Sequence, residues 1–462
     1  MFLKSRNTSG SVLNDPAAEV PFPVCLTLKY GPDRYLPTRE ATRLSGVRAR
    51  GGSGSVGPET RVAPASQSDR SSGHGRDQPT KIAVAAPEFG RIWGGIGTYL
   101  GQLLPGIASH HEVTILCGQT PSYETGYQTV PLADGGGVMA NYFKFQRALQ
   151  RRWPDLAREY RPDLLVVHHA QMPDLWTDPM PCPTVVTTHT TILGQARGIQ
   201  GALRHGGPLD DTERTTLAVL PALLPIELYY WNRVRHVLFV SDAVRQEVLG
   251  TYGPRVRTSA LIPNGLALDE LRAAGGTPDS PEEPGFILYT GRLLGWKGLA
   301  VLLRAMVHLR RPERLVVTGS GRVDAWRRYA RSLGLGPDRV EFLGAIPRSE
   351  LLSRLRRATL VALPSYMESC PYSLIEAMAF EKPVVATAIP GTLDMVEDGV
   401  SALLVPPGDA IALAEGIDRV LGDEALRRRL GRTAALVARD RFSSERMCTE
   451  TLQYFEQVLA AS

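Results

Sequence analysis

The sequence is poor in the features that mark special-purpose chains. Five of its 462 residues are cysteine (Cys25, Cys117, Cys182, Cys370 and Cys448), an odd number, widely scattered, with no C-x-x-C pair and no histidine at ligand spacing. A disulfide framework and a zinc site are both disfavoured, and no metal ligands are assigned. Long apolar runs are missing too. The most apolar stretch, Leu217 to Trp231, contains two prolines and a glutamate, whereas a membrane helix needs roughly 20 predominantly apolar residues. The start, MFLKSRNTSGSVLNDPAAEV, has no continuous apolar core behind its basic residues. No signal peptide is expected, and the expected compartment is the cytoplasm. A strong charge of one sign is also absent. The net charge of +5 is mostly a property of residues 1–79, which carry 11 Lys+Arg against 7 Asp+Glu and leave 41 against 40 for the rest. A groove for nucleic acid requires a clustered basic excess, so no nucleic-acid partner is expected.

What is present is ordinary globular composition, 43% hydrophobic and 21% charged, over a length that accommodates two to four domains. Residues 1–79 hold 10 Ser, 9 Gly and 8 Pro without helical or strand periodicity. Such a segment buries too little apolar surface to offset its ordering entropy and is expected to be a disordered tail. From Thr80 onward the text alternates. Short apolar runs (KIAVAAP, HEVTILCG, DLLVVHH, PTVVTTH, HVLFVSD) are separated by stretches of helical spacing, the pattern of βαβ units and parallel sheets. This predicts an α/β domain over 80–262. A linker over 263–284, containing TPDSPEEP, precedes a second α/β domain over 285–440, where FILYTGR, RLVVTGS, ATLVALPS and KPVVATA restart the alternation. A terminal helix follows over 441–462, with Met447, Leu452, Phe455 and Leu459 near helical spacing. Doubly wound sheets bind ligands at the carboxyl ends of their strands, so two in tandem place a site in the cleft between them.

Three constellations carry chemistry. Gly94-Gly95-Ile96-Gly97 opens a helix some ten residues after the first strand, where small residues admit a close ligand and the helix N-terminus offers free N–H groups. A dinucleotide fingerprint fails on detail, because Leu100 stands where a third glycine is needed and no acidic residue ends the second strand. Gly291-Arg292-Leu293-Leu294-Gly295-Trp296-Lys297-Gly298 follows the first strand of the second domain; a guanidinium and an ammonium there suit a diphosphate. The third is Glu368 with Glu376, eight residues apart. On one helix they would lie roughly 12 Å apart along the axis and about 80° around it, too far for a glycosidase pair at about 5–9.5 Å. They should have different partners. Pro371 favours a helix start, leaving Glu368 on the preceding loop.

These segments, together with TTH ending at His189, VSDAV with Ser241, IPNG with Asn264 and Gly265, VVTGSG and FLGAIP, occur in order over some 300 residues. In that order the chain from about Thr80 resembles the retaining GT-B glycosyltransferases of family four. The resemblance implies two Rossmann-like doubly wound domains facing a central cleft, with the terminal helix returning to the first. It implies a hexosyltransferase, retaining and metal-independent, that uses a nucleotide-diphosphate sugar as co-substrate and no cofactor. The second domain would bind mainly the donor and the first a glycan, lipid or small-molecule acceptor. Arg292 and Lys297 would hold the diphosphate, Glu368 would lie by the transferring sugar, and Glu376 would accept from the ribose hydroxyls. His189 would stand near the sugar, Gly95 and Gly97 near phosphate and acceptor, and the helix start at Tyr372, Ser373 and Leu374 near the phosphates.

Two departures from the family pattern stand out. Ser369-Cys370-Pro371 replaces a glycine-containing stretch, and Glu381 occupies a turn position where glycine is common and positive φ is favoured. Residues 194–232 read as an interdomain or core helix pair, with an acceptor or peripheral membrane contact as the other reading, the latter at the inner face of the membrane. Two other classes share the fold: a sugar-nucleotide epimerase and a noncatalytic partner subunit of a glycosylation complex.

Overall fold

Runs of Val, Leu, Ile and Ala become strands wherever helices cover both faces of a sheet, and two such sheets organise this chain. The computed structural model describes residues 79–89, 94–119, 126–132, 138–168, 182–253, 255–275 and 285–462; the expected tail over 1–79 lies almost wholly outside them. The first sheet comprises β1 (Lys81–Ala86), β2 (Glu112–Cys117), β3 (Gln128–Pro131), β4 (Leu164–His168), β5 (Thr184–Thr188), β6 (His236–Phe239) and β7 (Thr258–Leu261). Its helices are α1 (Gly95–Ala108), α2 (Val138–Tyr160), α3 (Ile192–His205), α4 (Asp211–Trp231) and α5 (Asp242–Tyr252), and α6 (Leu268–Ala274) follows β7. The second sheet comprises β8 (Ile287–Thr290), β9 (Leu315–Thr318), β10 (Val340–Gly344), β11 (Leu360–Leu363), β12 (Val384–Thr387) and β13 (Leu403–Val405). Around it lie α7 (Leu299–His308), α8 (Val323–Ser332), α9 (Arg348–Arg357), α10 (Tyr372–Ala379), α11 (Pro390–Leu393), α12 (Ala410–Gly422) and α13 (Glu424–Arg441), and α14 (Ser444–Ala460) ends the chain.

Every neighbouring pair of strands is parallel. The orders are β3-β2-β1-β4-β5-β6-β7 and β10-β9-β8-β11-β12-β13. Central strands such as β4 and β11 are buried throughout, as helices on both faces require, whereas the edge strands β3 and β7 keep exposed positions. In each sheet the strand order reverses once, between β1 and β4 and between β8 and β11. Ligands of doubly wound folds bind at such reversals, outside the carboxyl ends of the strands.

The stretch 263–284, expected as a linker, is not all connector. Residues Leu268–Ala274 form α6, which packs on α9 and α10. Its sequence, LDELRAA, puts acids in the first turn and an arginine in the last, matching the helix dipole. The chain crosses between the sheets just before it, and crosses back just before α14. The two crossings touch: Leu266 N–H donates to Phe442 O and Ser444 N–H donates to Leu266 O, both at 2.9 Å. A Cβ on Gly265 would overlap Ser443 O, which accounts for the glycine in IPNG. Beyond the crossing, α14 lies on α1, burying Met447, Thr451, Tyr454, Phe455 and Val458; Leu452 and Leu459, expected on its apolar stripe, pack at its edge.

The α3–α4 hairpin reaches from the first sheet onto the second domain. On α3, Gly198 faces Met367 and Trp296, and Gly201 faces Tyr366, with no room for a Cβ at either. The interdomain reading of 194–232 therefore holds for α3. A second bridge joins the domains where Ala243 N–H, at the start of α5, donates to Asp394 Oδ2 at 2.7 Å. Among the described residues no helix is long and apolar enough to cross a membrane.

The start of α3 carries a titration. Ile192 N–H donates to Glu227 Oε1 at 2.9 Å and the Tyr252 hydroxyl donates to Oε2. Burial pushes the Glu227 carboxyl up to about 7, the two hydrogen bonds offsetting part of the effect. A raised carboxyl keeps its proton in the folded chain after the unfolded chain has lost it. The contribution of Glu227 to stability is therefore full below pH 4.5 and is lost as pH rises towards 7, by about 3 kcal/mol for a shift of that size. Glu227→Gln keeps the shape and cannot ionise. Its melting temperature relative to wild type is expected to rise between pH 5 and pH 8; a constant difference would show that Glu227 does not titrate there.

Candidate active site

The three constellations singled out for chemistry follow β1, β8 and β11, strands that flank the two reversals. After β8 comes Gly291, with φ 152 and open space where a Cβ would stand. The exposed Arg292 follows, and its guanidinium makes no ion pair among the described residues. A 3-10 turn, Gly295–Lys297, presents Lys297. The turn ends at Gly298, whose φ of 75 and whose contact with Pro364 O leave no place for a side chain. Tyr366 N–H donates to Trp296 O at 2.8 Å, so the loops after β8 and β11 are joined backbone to backbone.

Lys297 Nζ sits 2.8 Å from both oxygens of Glu368 on the β11 loop. Ser365 Oγ donates to Glu368 Oε1 at 2.7 Å, and the Thr387 hydroxyl donates to Ser365 O. Asn264 of the IPNG segment donates through Nδ2 to Cys370 O at 2.7 Å and so braces the far end of this loop. Then α10 begins at Tyr372 with Pro371 as its N-cap, one residue before the first helical position that proline most favours. Tyr372 and Ser373 head the helix, where N–H groups have no intrahelical acceptor; Leu374 N–H bonds Pro371 O at 3.1 Å.

Glu376 lies in the second turn of α10, 5% exposed. Arg348, at the start of α9, donates to its Oε1 at 2.6 Å. Burial pushes the Glu376 carboxyl up, and the Arg348 charge and hydrogen bond pull it back. The two glutamates thus have different cationic partners. The turn after α10 holds Glu381 at φ 56, the left-handed conformation that position was expected to favour.

On the first domain, α1 starts at Gly95 with Gly94 as its cap and no side-chain hydrogen bond there. A Cβ on Gly95 would meet nothing within 4 Å, and Gly97 lies in the same turn. His189, one residue beyond β5, has Nε2 2.9 Å from His168 Nδ1 at the end of β4. The two rings stack at 5.1 Å, and Tyr99 of α1 stands edge-on to His189 at 4.9 Å. His168 is fully buried, and burial holds its imidazole down at about 3, so it is neutral at ordinary pH and transmits no charge to His189. Burial raises the Tyr372 phenol, with Cys370 and Tyr99 adding to it.

His168, Arg348 and the bracing role of Asn264 were not identified from sequence. For His168 a signal existed, since it ends an apolar run in the same way as His189. Among the described residues, no group of three or more His, Cys, Asp or Glu could hold a metal ion.

Two family models match this framework along the chain: Glycosyltransferase Family 4 over residues 93–270 and Glycosyl transferases group 1 over residues 276–437. A D-inositol 3-phosphate glycosyltransferase from Xylanimonas cellulosilytica is 32% identical over 305 residues, 59% of this chain and 72% of the relative. A glycogen synthase from Mycobacterium tuberculosis is 28% identical over 312 residues, 64% of this chain and 69% of the relative. Among solved structures, sucrose-phosphate synthase from Thermosynechococcus elongatus superposes with a TM-score of 0.69 at 23% identity, covering 83% of this chain and all of that one. HepE from Anabaena, solved in complex with UDP-glucose, gives 0.60 at 19% identity, covering 81% of this chain and 99% of that one. Two parallel-sheet domains, the loops at their strand ends and these matches together place the chain in the group 1 glycosyltransferases, with the GT-B fold.

Proposed function

We propose that the chain transfers a hexosyl group from a nucleotide-diphosphate sugar to an acceptor hydroxyl with retention of configuration and without a metal. The observation that carries this reading is the Lys297–Glu368 pair, set beside Arg292 and the start of α10 at the reversal of the second sheet. As the glycosidic bond breaks, negative charge gathers on the departing diphosphate while the sugar becomes oxocarbenium-like. Lys297, Arg292 and the N–H groups at Tyr372 and Ser373 meet the first change. Glu368 meets the second, being held in place by Ser365 and Lys297. Glu376 accepts from the ribose hydroxyls, and Arg348 holds this buried carboxyl in place and offsets part of the rise that burial gives it. His189 lies on the sugar side, with the Gly95–Gly97 turn towards phosphate and acceptor. That HepE was solved with UDP-glucose supports a nucleotide-sugar donor.

A thermal-shift panel of UDP, ADP and GDP, followed by UDP-glucose, ADP-glucose and GDP-mannose, tests the reading, because a ligand that binds only the folded chain raises its melting temperature. One nucleoside diphosphate and its sugar are expected to raise it, by several degrees at saturation. Turnover with acceptors of the glycan, lipid and small-molecule classes, with the product anomer read by NMR, is expected to show retention. No shift with any nucleotide, an inverted product, or a C-2 epimer formed without an acceptor would each overturn it.

A further inference from the structure

The turn that carries Lys297 is held by a residue of the other domain. Glu213, in the first turn of α4, completes a capping box by accepting from Asp210 N–H at 2.8 Å. Such a glutamate ordinarily ends in solvent, but Glu213 is 2% exposed. Its Oε2 also accepts Gly295 N–H at 2.9 Å, and its Oε1 accepts Trp296 N–H at 3.1 Å. These are the first two amides of the 3-10 turn whose third residue is Lys297. A short turn leaves its leading amides without internal acceptors, so this carboxylate is what satisfies them. Leu209 and Ala202 of the hairpin close against Gly295, leaving no gap for a side chain there. On its other side the turn is fixed by Tyr366 N–H on Trp296 O. The backbone before Lys297 is therefore clamped between the first domain's hairpin and the loop that carries Glu368.

Resting on the donor-site reading above, we infer that Glu213 is a positioning residue for transfer: through the amides of Gly295 and Trp296 it sets Lys297 against Glu368 and the departing diphosphate. The α3–α4 hairpin, part of the acceptor-side domain by sequence, is then a working part of the donor site. Charge placement of this kind acts where charge develops, so the loss on removing it falls on kcat more than on KM.

The test is a double-mutant cycle of Glu213→Gln and Lys297→Ala in the full chain, using whichever of UDP-glucose, ADP-glucose and GDP-mannose is turned over. Glutamine keeps the shape but offers one acceptor oxygen, so at least one of the three amides faces an N–H₂ group. Glu213→Gln is expected to lower kcat about 10–100-fold with little change in donor KM, and to speed hydrogen exchange at Gly295 to Lys297. In the Lys297→Ala background the same change is expected to lower kcat less than about 3-fold, because residues acting through one another are not additive. Glu213→Asp keeps the charge with a shorter reach and is expected to fall between. Full additivity on top of a costly Lys297→Ala, or unchanged exchange at 295–297, overturns the positioning role alone. A Lys297→Ala variant with wild-type turnover overturns the donor-site reading, and this inference with it.

Discussion

Lys297→Ala is expected to lower kcat/KM by a factor on the order of 10²–10³, most of it in kcat, and Arg292→Ala by a comparable factor. The reason is geometric as much as electrostatic. Lys297 is held at both ends, its backbone by neighbouring segments and its ammonium by the Glu368 carboxylate. It therefore needs little reorganisation as the diphosphate departs. Arg292 is exposed and unpaired among the described residues, and its planar fork is available for two phosphate oxygens. With two cations at the leaving group, a chelator is expected to leave wild-type turnover largely intact. Steady-state kinetics with and without EDTA check both statements. A variant at full activity, or complete loss on chelation, would count against this account of the leaving group.

Glu368→Gln and Glu376→Gln are expected to fail in different ways. Glu368 stands beside the breaking bond, so its variant should depress kcat by a factor on the order of 10². Because it is also the counter-ion of Lys297 in the unliganded chain, neutralising it frees the ammonium. The nucleoside diphosphate chosen by the panel of UDP, ADP and GDP should bind this variant at least as tightly as wild type. Glu376 is removed from that bond and paired with Arg348. Its variant should raise donor KM and weaken the free diphosphate about tenfold, the scale of one charge-assisted hydrogen bond, while kcat at saturating donor changes little. Calorimetric titration of both variants beside donor-saturated rates separates the two. Loss of diphosphate binding in Glu368→Gln, or wild-type turnover in both, would show the roles misassigned.

Much of this arrangement was legible because it is local. Strand and helix periods, the proline that starts α10, the glycine that ends the Lys297 turn and the left-handed turn at Glu381 are each set by a few consecutive residues. Pattern could also show that Glu368 and Glu376 serve different partners, since eight residues fix their separation. It could not name those partners. Arg348 is 28 positions from Glu376, His168 is 21 from His189 and Glu213 is 82 from Gly295, and such contacts exist only once two sheets and their helices are assembled. Within the stretch expected as a linker, α6 has a signal that is local but short, seven residues with ordinary helix charge order beside Pro- and Glu-rich sequence.

The paired crossings at Leu266 and Ser443 bear on how the molecule can move. Two separated tethers between rigid bodies resist both twist and opening, as two hinges fix a door to one swing. Here the tethers are bonded to one another within a single residue's length, so mechanically they form one two-ply strap. The halves can swing about that line without stretching either ply. Among the contacts that limit the swing are the carboxylates of Glu213 and Asp394, each accepting from backbone of the opposite half, with Arg304 donating to His205 O and Arg322 paired with Asp211 beside them.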